Sequence, residues 1–192
     1  MDDCFIAKPL GRRQIDQAYP LVCVAAPGLA VEQWRAFAAA VLDIGGEAGG
    51  APAPRTGIMT VQNARGYLHG LFSYAIEEHL RHGRVMTVDN FVVLDLFDVP
   101  GVAGTLLDAM DGLARGLGCA AIHTALPERG ISDRTTDNRI ADCFIRGGHR
   151  RETLLLCKNL DGVNDNRAPS RRPAATPDAS PGGLSGGCCD GE

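Results

Sequence analysis

The stretch Val85–Gly118, VMTVDNFVVLDLFDVPGVAGTLLDAMDGLARGLG, decides how the rest of the chain is arranged. Its first half is a long apolar strand, its middle a short Pro-Gly turn, and its second half a helix. In the helix Val102, Ala103, Leu106, Leu107, Met110, Leu113, Ala114 and Leu117 recur at the i, i+3, i+4, i+7 spacing of one buried face. Asp108, Asp111 and Arg115 fall toward solvent. A strand feeding a glycine-containing turn and then a helix N-terminus can seat an anion. The first helical turn has N–H groups without internal partners, and the helix dipole adds partial positive charge there.

If pairing is regular, Val85, Thr87, Asp89, Phe91, Val93 and Asp95 share one strand face. Met86, Val88, Asn90, Val92, Leu94 and Leu96 share the other. Both are mainly apolar, so the strand should be central and covered on both sides. Asp89 and Asn90 interrupt it in the middle, where uncompensated polarity is costly.

Before this stretch, Cys4–Lys8 reads as an edge strand and Arg12–Ala26 as a helix that Pro20 must kink or restart. Ala30–Leu42 is a helix with Val31, Trp34, Phe37, Ala38, Val41 and Leu42 in one stripe, closed by Gly45-Gly46. Glu47–Arg55 reads as a mobile loop. GIMTVQN and YLHGLFSYAI flank Ala64-Arg65-Gly66 as a hairpin, and His79–Gly83 makes the next turn. After the stretch, Ala120–Leu126 reads as a buried strand, completing a parallel β-α-β crossover. Pro127–Thr136 is a polar loop, Asp137–Gly147 a short helix, and Arg151–Asn159 the last strand. Residues 1–160 form one domain, and 161–192, with almost nothing to bury, a disordered tail.

The chain of 192 residues is 45% hydrophobic and 22% charged, ordinary values for a soluble domain with a proper core. A net charge of −4 gives no basic face for nucleic acid. No apolar run is long enough to span a membrane, and MDDCFIAKPLGRR lacks the order of a signal peptide, so a cytoplasmic protein is expected. Seven cysteines lie without CxxC spacing, and the first five sit in apolar runs, where they read as small buried hydrophobes. No metal site is expected from them.

Two familiar phosphate loops do not fit. A Walker loop needs Gly-Lys-Ser/Thr, and Gly104-Thr105 has no lysine; a dinucleotide fingerprint opens a parallel sheet, whereas antiparallel strands come first here. The order of elements and the segment DNFVVLDLFDVPGVAGTLL instead resemble the GNAT family, the GCN5-related N-acetyltransferases, over Cys4–Leu160. The family's pyrophosphate loop reads Q/R-x-x-G-x-G/A. Asp98, Val99, Pro100, Gly101, Val102 and Ala103 take those places, with Gly101 and Ala103 matching and an acid, Asp98, in place of Gln or Arg. Gly104, Thr105, Leu106 and Leu107 continue into a helix with paired leucines. DNRIADCFIRGGHRRETLLLCKNL is similar to the family's last helix and strand, with Gly148 on its glycine and Phe144 on its usual tyrosine.

The resemblance implies an α/β (α+β) fold with a mixed, mostly antiparallel, V-shaped sheet flanked by helices. It implies an N-acetyltransferase that moves an acetyl or other acyl group from acetyl-CoA, its co-substrate, to a primary amine by direct attack. Backbone amides of Gly101–Thr105 would cradle the pyrophosphate, and Asp98 should point away from it or weaken its binding. A bulge would open the strand so that the backbone of Phe91, Val92 and Val93 binds pantetheine and polarises the thioester carbonyl. Asp89 falls where many members carry the carboxylate that takes the amine's proton, and partial burial would raise its pKa toward a useful value. Its other role would be to cap a bulge or bond an arginine. Phe144 lacks the hydroxyl that protonates the departing thiolate, leaving solvent or Cys143. His123 and His69 are further catalytic candidates, and Trp34, Tyr67 and Tyr74 could line an acceptor pocket. The rival reading is an acyl-CoA-binding or protein-interaction module that kept the fold and lost the chemistry. A homodimer formed through the sheet is a third option.

Overall fold

The computed structural model describes residues 4–46, 55–126 and 134–152. The loop expected at 47–55 (all but its last residue), most of the loop at 127–136, nearly all of the last strand and the tail lie outside them. Five strands order as β1 (Ile6–Pro9), β2 (Thr56–Gln62), β3 (Leu68–His79), β4 (Gly83–Val93) and β5 (Ala121–Thr124). The first four pair antiparallel and β5 runs parallel to β4, as a β-α-β crossover requires. Among the described residues four α-helices flank this mixed sheet: α1 (Ile15–Ala25), α2 (Val31–Gly46), α3 (Val99–Gly116) and α4 (Arg134–Arg146).

Each face of the sheet has its own core. On one face α3 lays down Val102, Ala103, Leu106 and Met110, all 0% exposed, against Phe72, Met86, Val88, Phe91 and Val93. Every member of the apolar stripe read in the sequence belongs to this core or packs on its edge. Phe144 of α4 completes it. On the other face Leu21 and Val22 of α1 and Trp34 and Ala38 of α2 pack on Ile58, Leu71 and Val92. The indole N–H of Trp34 donates to the Ile15 carbonyl at 2.7 Å, so the ring also locks the two helices together.

Several details differ from the expectations. α1 is one helix, with exposed Pro20 inside it rather than a restart. α4 begins three residues earlier than read, at Arg134. β5 is half-buried, because it pairs only with β4 among the described residues. Cys4 is exposed and Cys23 half-buried, while Cys119 and Cys143 are half-buried at the margin of the α3-side core rather than inside.

The alternation along β4 changes phase. Met86 and Val88 share a core with Phe91 and Val93, while Val92 faces the opposite way with Leu71. Leu71 pairs with Val92 but Ser73 pairs with Asp89, so two steps on β3 match three on β4. The extra residue is a β-bulge, and it moves every side chain beyond it to the other face.

Candidate functional site

The bulge centres on Asn90, the one non-glycine with positive φ (54°) among the described residues. Asparagine enters the left-handed region more readily than other side chains. Here its amide also donates to Ser73 Oγ at 2.9 Å, and that hydroxyl donates to the Asp89 carbonyl at 3.1 Å. Ser73 is thus a buried strut across the kink. The bulge coincides with the end of β4–β5 pairing. β5 follows β4 only from Val85 to Val88, closing with Ala125 N–H donating to the Val88 carbonyl at 3.0 Å. Past that point Val92 and Val93 pair with β3 alone among the described residues, and Phe91 lies in the bulge between them and Asp89. Their side chains are buried, so what they present on that edge is backbone.

Residues 94–98 link this edge to α3. Asp95 organises the link: its Oδ1 accepts the amides of Phe97 at 2.8 Å and Asp98 at 2.7 Å, and its Oδ2 lies 2.8 Å from His69 Nδ1. Burial pushes this carboxyl upward, but the two amides and His69 outweigh it and hold it below the usual carboxylate range. Leu94 and Leu96 lie past the strand's end and are exposed rather than part of a strand face.

Asp98 does not point away from the helix. It is the N-cap of α3, and its Oδ1 accepts the Gly101 amide at 2.9 Å. A Cβ on residue 101 would collide with Asp98 Oδ2 and lie 2.6 Å from its Cγ, so glycine is what allows the cap to close. Pro100 has no N–H, and the Val102 amide bonds the Asp98 carbonyl at 3.1 Å. Ala103, Gly104 and Thr105 lie inside the helix, where amides bond the preceding turn, and Thr105 Oγ1 donates to the Gly101 carbonyl. Of the amides expected to cradle an anion, Gly101 is the one held by a side chain, and that side chain is itself an anion.

Asp89 is exposed rather than half-buried among apolar groups. Its pairing with Ser73 places it on the α1/α2 face. Phe144 is 4% exposed, its ring 4.8 Å from Phe91 and edge-on to it, so the position of the family's tyrosine is a core contact. Gly148, at φ 89°, ends α4 as the left-handed residue of its C-cap. Of the three aromatics expected around an acceptor, Trp34 lines a cavity of about 230 Å³ with Val22, Leu29, Phe37, Asn90 and Val92. Tyr67 is exposed, and Tyr74 lies in the α3-side core with its ring across Gly57.

His69 stays with Asp95, while His123 joins a group that sequence reading missed. β4–β5 register sets His123 beside Thr87, and its ring stands 4.6 Å from His79 and 5.3 Å from His82. Burial lowers the His123 pKa, and the charges of His79 and His82 lower it further. The available signal was an H-x-x-H spacing in the β3–β4 turn.

No family model matches the sequence, and no curated protein matches it. Solved structures do. A glucosamine-6-phosphate N-acetyltransferase from Arabidopsis thaliana superimposes with a TM-score of 0.61 at 12% identity, over 83% of this chain and 100% of that one. An aminoglycoside N-acetyltransferase in complex with CoA gives 0.63 at 13%, over 83% and 97%. A GNAT family acetyltransferase from Staphylococcus aureus gives 0.59 at 13%, over 81% and 98%. The chain therefore has the GNAT fold.

Proposed function

We propose that this protein transfers an acyl group from acyl-coenzyme A to a primary amine. The observation that carries this reading is the one-sided β4 edge at Phe91–Val93, opened by the Asn90 bulge and leading into the N-terminus of α3. An extended pantetheine arm has amides that can bond a free strand edge, and a backbone N–H there can stabilise the oxyanion of direct attack. Asp89, exposed on the α1/α2 face, is the carboxylate in place to take the amine's proton, since an amine with pKa of about 10 must be deprotonated before attack. An alkyl thiolate is a far better leaving group than an amine anion, so it can depart and collect a proton from water without the missing hydroxyl at Phe144. The cavity beside Asn90 is lined almost wholly by apolar side chains and suits an amine with an apolar body better than an amino sugar.

Asp98 favours a second reading, an acyl-CoA-binding module with weak or no turnover. Pyrophosphate can reach the Gly101 amide only by displacing the Asp98 carboxylate, and giving up such a cap costs about 0.5–2 kcal/mol. One experiment orders the two readings. The full chain should melt at higher temperature with acetyl-CoA at roughly millimolar concentration, and no shift rejects both. Thiol release against arylalkylamines and amino sugars then measures turnover. The transferase reading requires release with some amine and its loss in Asp89→Asn; undiminished release in that variant removes Asp89 as the base.

A further inference from the structure

We propose that His79, His82 and His123 form a binding site for a divalent transition-metal ion of the zinc class. The three residues come from different parts of the chain. His79 ends β3, His82 sits in the following turn, and His123 lies on β5. One ligand atom from each falls within 4.8 Å of the other two. The pairing Ala75–Thr87–His123, with residues 75, 77 and 79 alternating onto one side of β3, sets the group on the sheet face that α3 does not cover.

Zinc–nitrogen bonds of about 2.0–2.1 Å in a tetrahedron leave ligand atoms roughly 3.3 Å apart, so the rings need only close inward around an ion. His79 and His82 are stacked at 5.1 Å, and His123 stands edge-on to both. Three imidazoles gathered this closely repel one another if charged. Carboxylates supply the balancing charge. Glu152 Oε1 lies 3.4 Å from His82 Nε2 and 3.1 Å from an Arg81 guanidinium nitrogen. Glu77 faces the group while holding the Thr87 hydroxyl at 3.1 Å.

The amides of Arg81 and His82 donate to His79 Nδ1 at 3.3 Å, so ligation through Nε2 requires the tautomer with its proton on Nδ1 and exchanges these two long bonds for the bond to the metal. Imidazole-rich donors select zinc, copper or nickel over calcium and magnesium. An ion held here ties the end of β3 and the β3–β4 turn to β5. It shares no residue with the Asp95–Asp98 link, and its test reads metal binding rather than acyl transfer.

The test uses the full chain, stripped with chelator, kept reduced, and titrated with Zn²⁺ by calorimetry and with Co²⁺ by absorbance. One equivalent should bind, raising the melting temperature with metal concentration. Co²⁺ should give visible d–d bands without the ultraviolet thiolate charge-transfer band that cysteine ligation produces. The double variant His79→Asn/His82→Gln alters the last residue of β3 and one residue of the following turn, so its metal-free circular dichroism should match the parent. Its affinity should fall by more than the roughly 10–100-fold that loss of an outer-shell partner costs. Failure of the parent to bind, a thiolate band, or unchanged affinity in the folded double variant would each overturn the proposal.

Discussion

The two faces of the sheet are built to different standards. Under α3 the core is continuous from Phe72 to Met110 and Phe144, with many members fully buried. Under α1 and α2 it is smaller and opens into a cavity beside Trp34, and Asp89 and the histidine group belong to the same side of β4. One strand serves both, and the bulge at Asn90 decides which side chains go where. The lesson is that a single extra residue lets one face keep native packing density while the other retains space and polar groups.

Truncating matched aromatics gives the largest expected contrast. Phe72 is 0% exposed between the rings of Tyr74 and Phe91, so Phe72→Ala should lose about 3–5 kcal/mol in urea denaturation. Phe37 lines the cavity and is 42% exposed, so Phe37→Ala should lose no more than roughly 1 kcal/mol. Equal losses would erase the distinction between the faces.

Enlarging matched alanines sharpens it. Ala103 is 0% exposed in the α3 core, and Ala103→Leu should cost about 1–3 kcal/mol through overpacking. Ala25 borders the cavity, and Ala25→Leu should change stability by less than about 0.5 kcal/mol while lowering amine turnover by filling the pocket. A destabilising Ala25→Leu would show that the cavity is already in tight packing.

Where the faces meet, at the N-terminus of α3, the effect is read in binding. Asparagine caps helices about as well as aspartate, so Asp98→Asn should leave stability nearly unchanged. It removes the carboxylate that sits on the Gly101 amide and should tighten acetyl-CoA binding about tenfold, or ~1.4 kcal/mol, by calorimetry. Weaker binding would mean that the charge is not an obstacle.

Much of this was legible in the residues. The α3 stripe, the hairpin at Asn63–Tyr67 and the parallel return to β5 follow from apolar period and turn chemistry, and the structure has them. The face assignment along β4 was right through Asp89 and one step out beyond it. The position of a bulge depends on the register of β3, which the sequence of β4 does not contain. Asp98 teaches a different point. Read through a pyrophosphate motif it is a mismatch, but an aspartate three residues before a glycine at a helix start is an ordinary N-cap. The histidine group was out of reach because His123 meets His79 only through two successive strand pairings.

The smallest effect concerns Asp95, whose carboxylate ties the link between β4 and α3 to β3 through His69. Its folded-state pKa is lowered by the amides of Asp98 and Phe97 and by His69, against the opposing effect of burial. A carboxylate depressed on folding stabilises the native state above its unfolded pKa of about 3.9, and that contribution drains away as pH falls through the lower folded value. Asp95→Asn should therefore be less stable than the parent at neutral pH, and the gap should narrow as pH falls below about 4. Denaturant curves for both proteins across that range decide it. A gap that stays constant or widens toward acid would mean that Asp95 acts through shape rather than charge, and that the link between the two faces is held by packing alone.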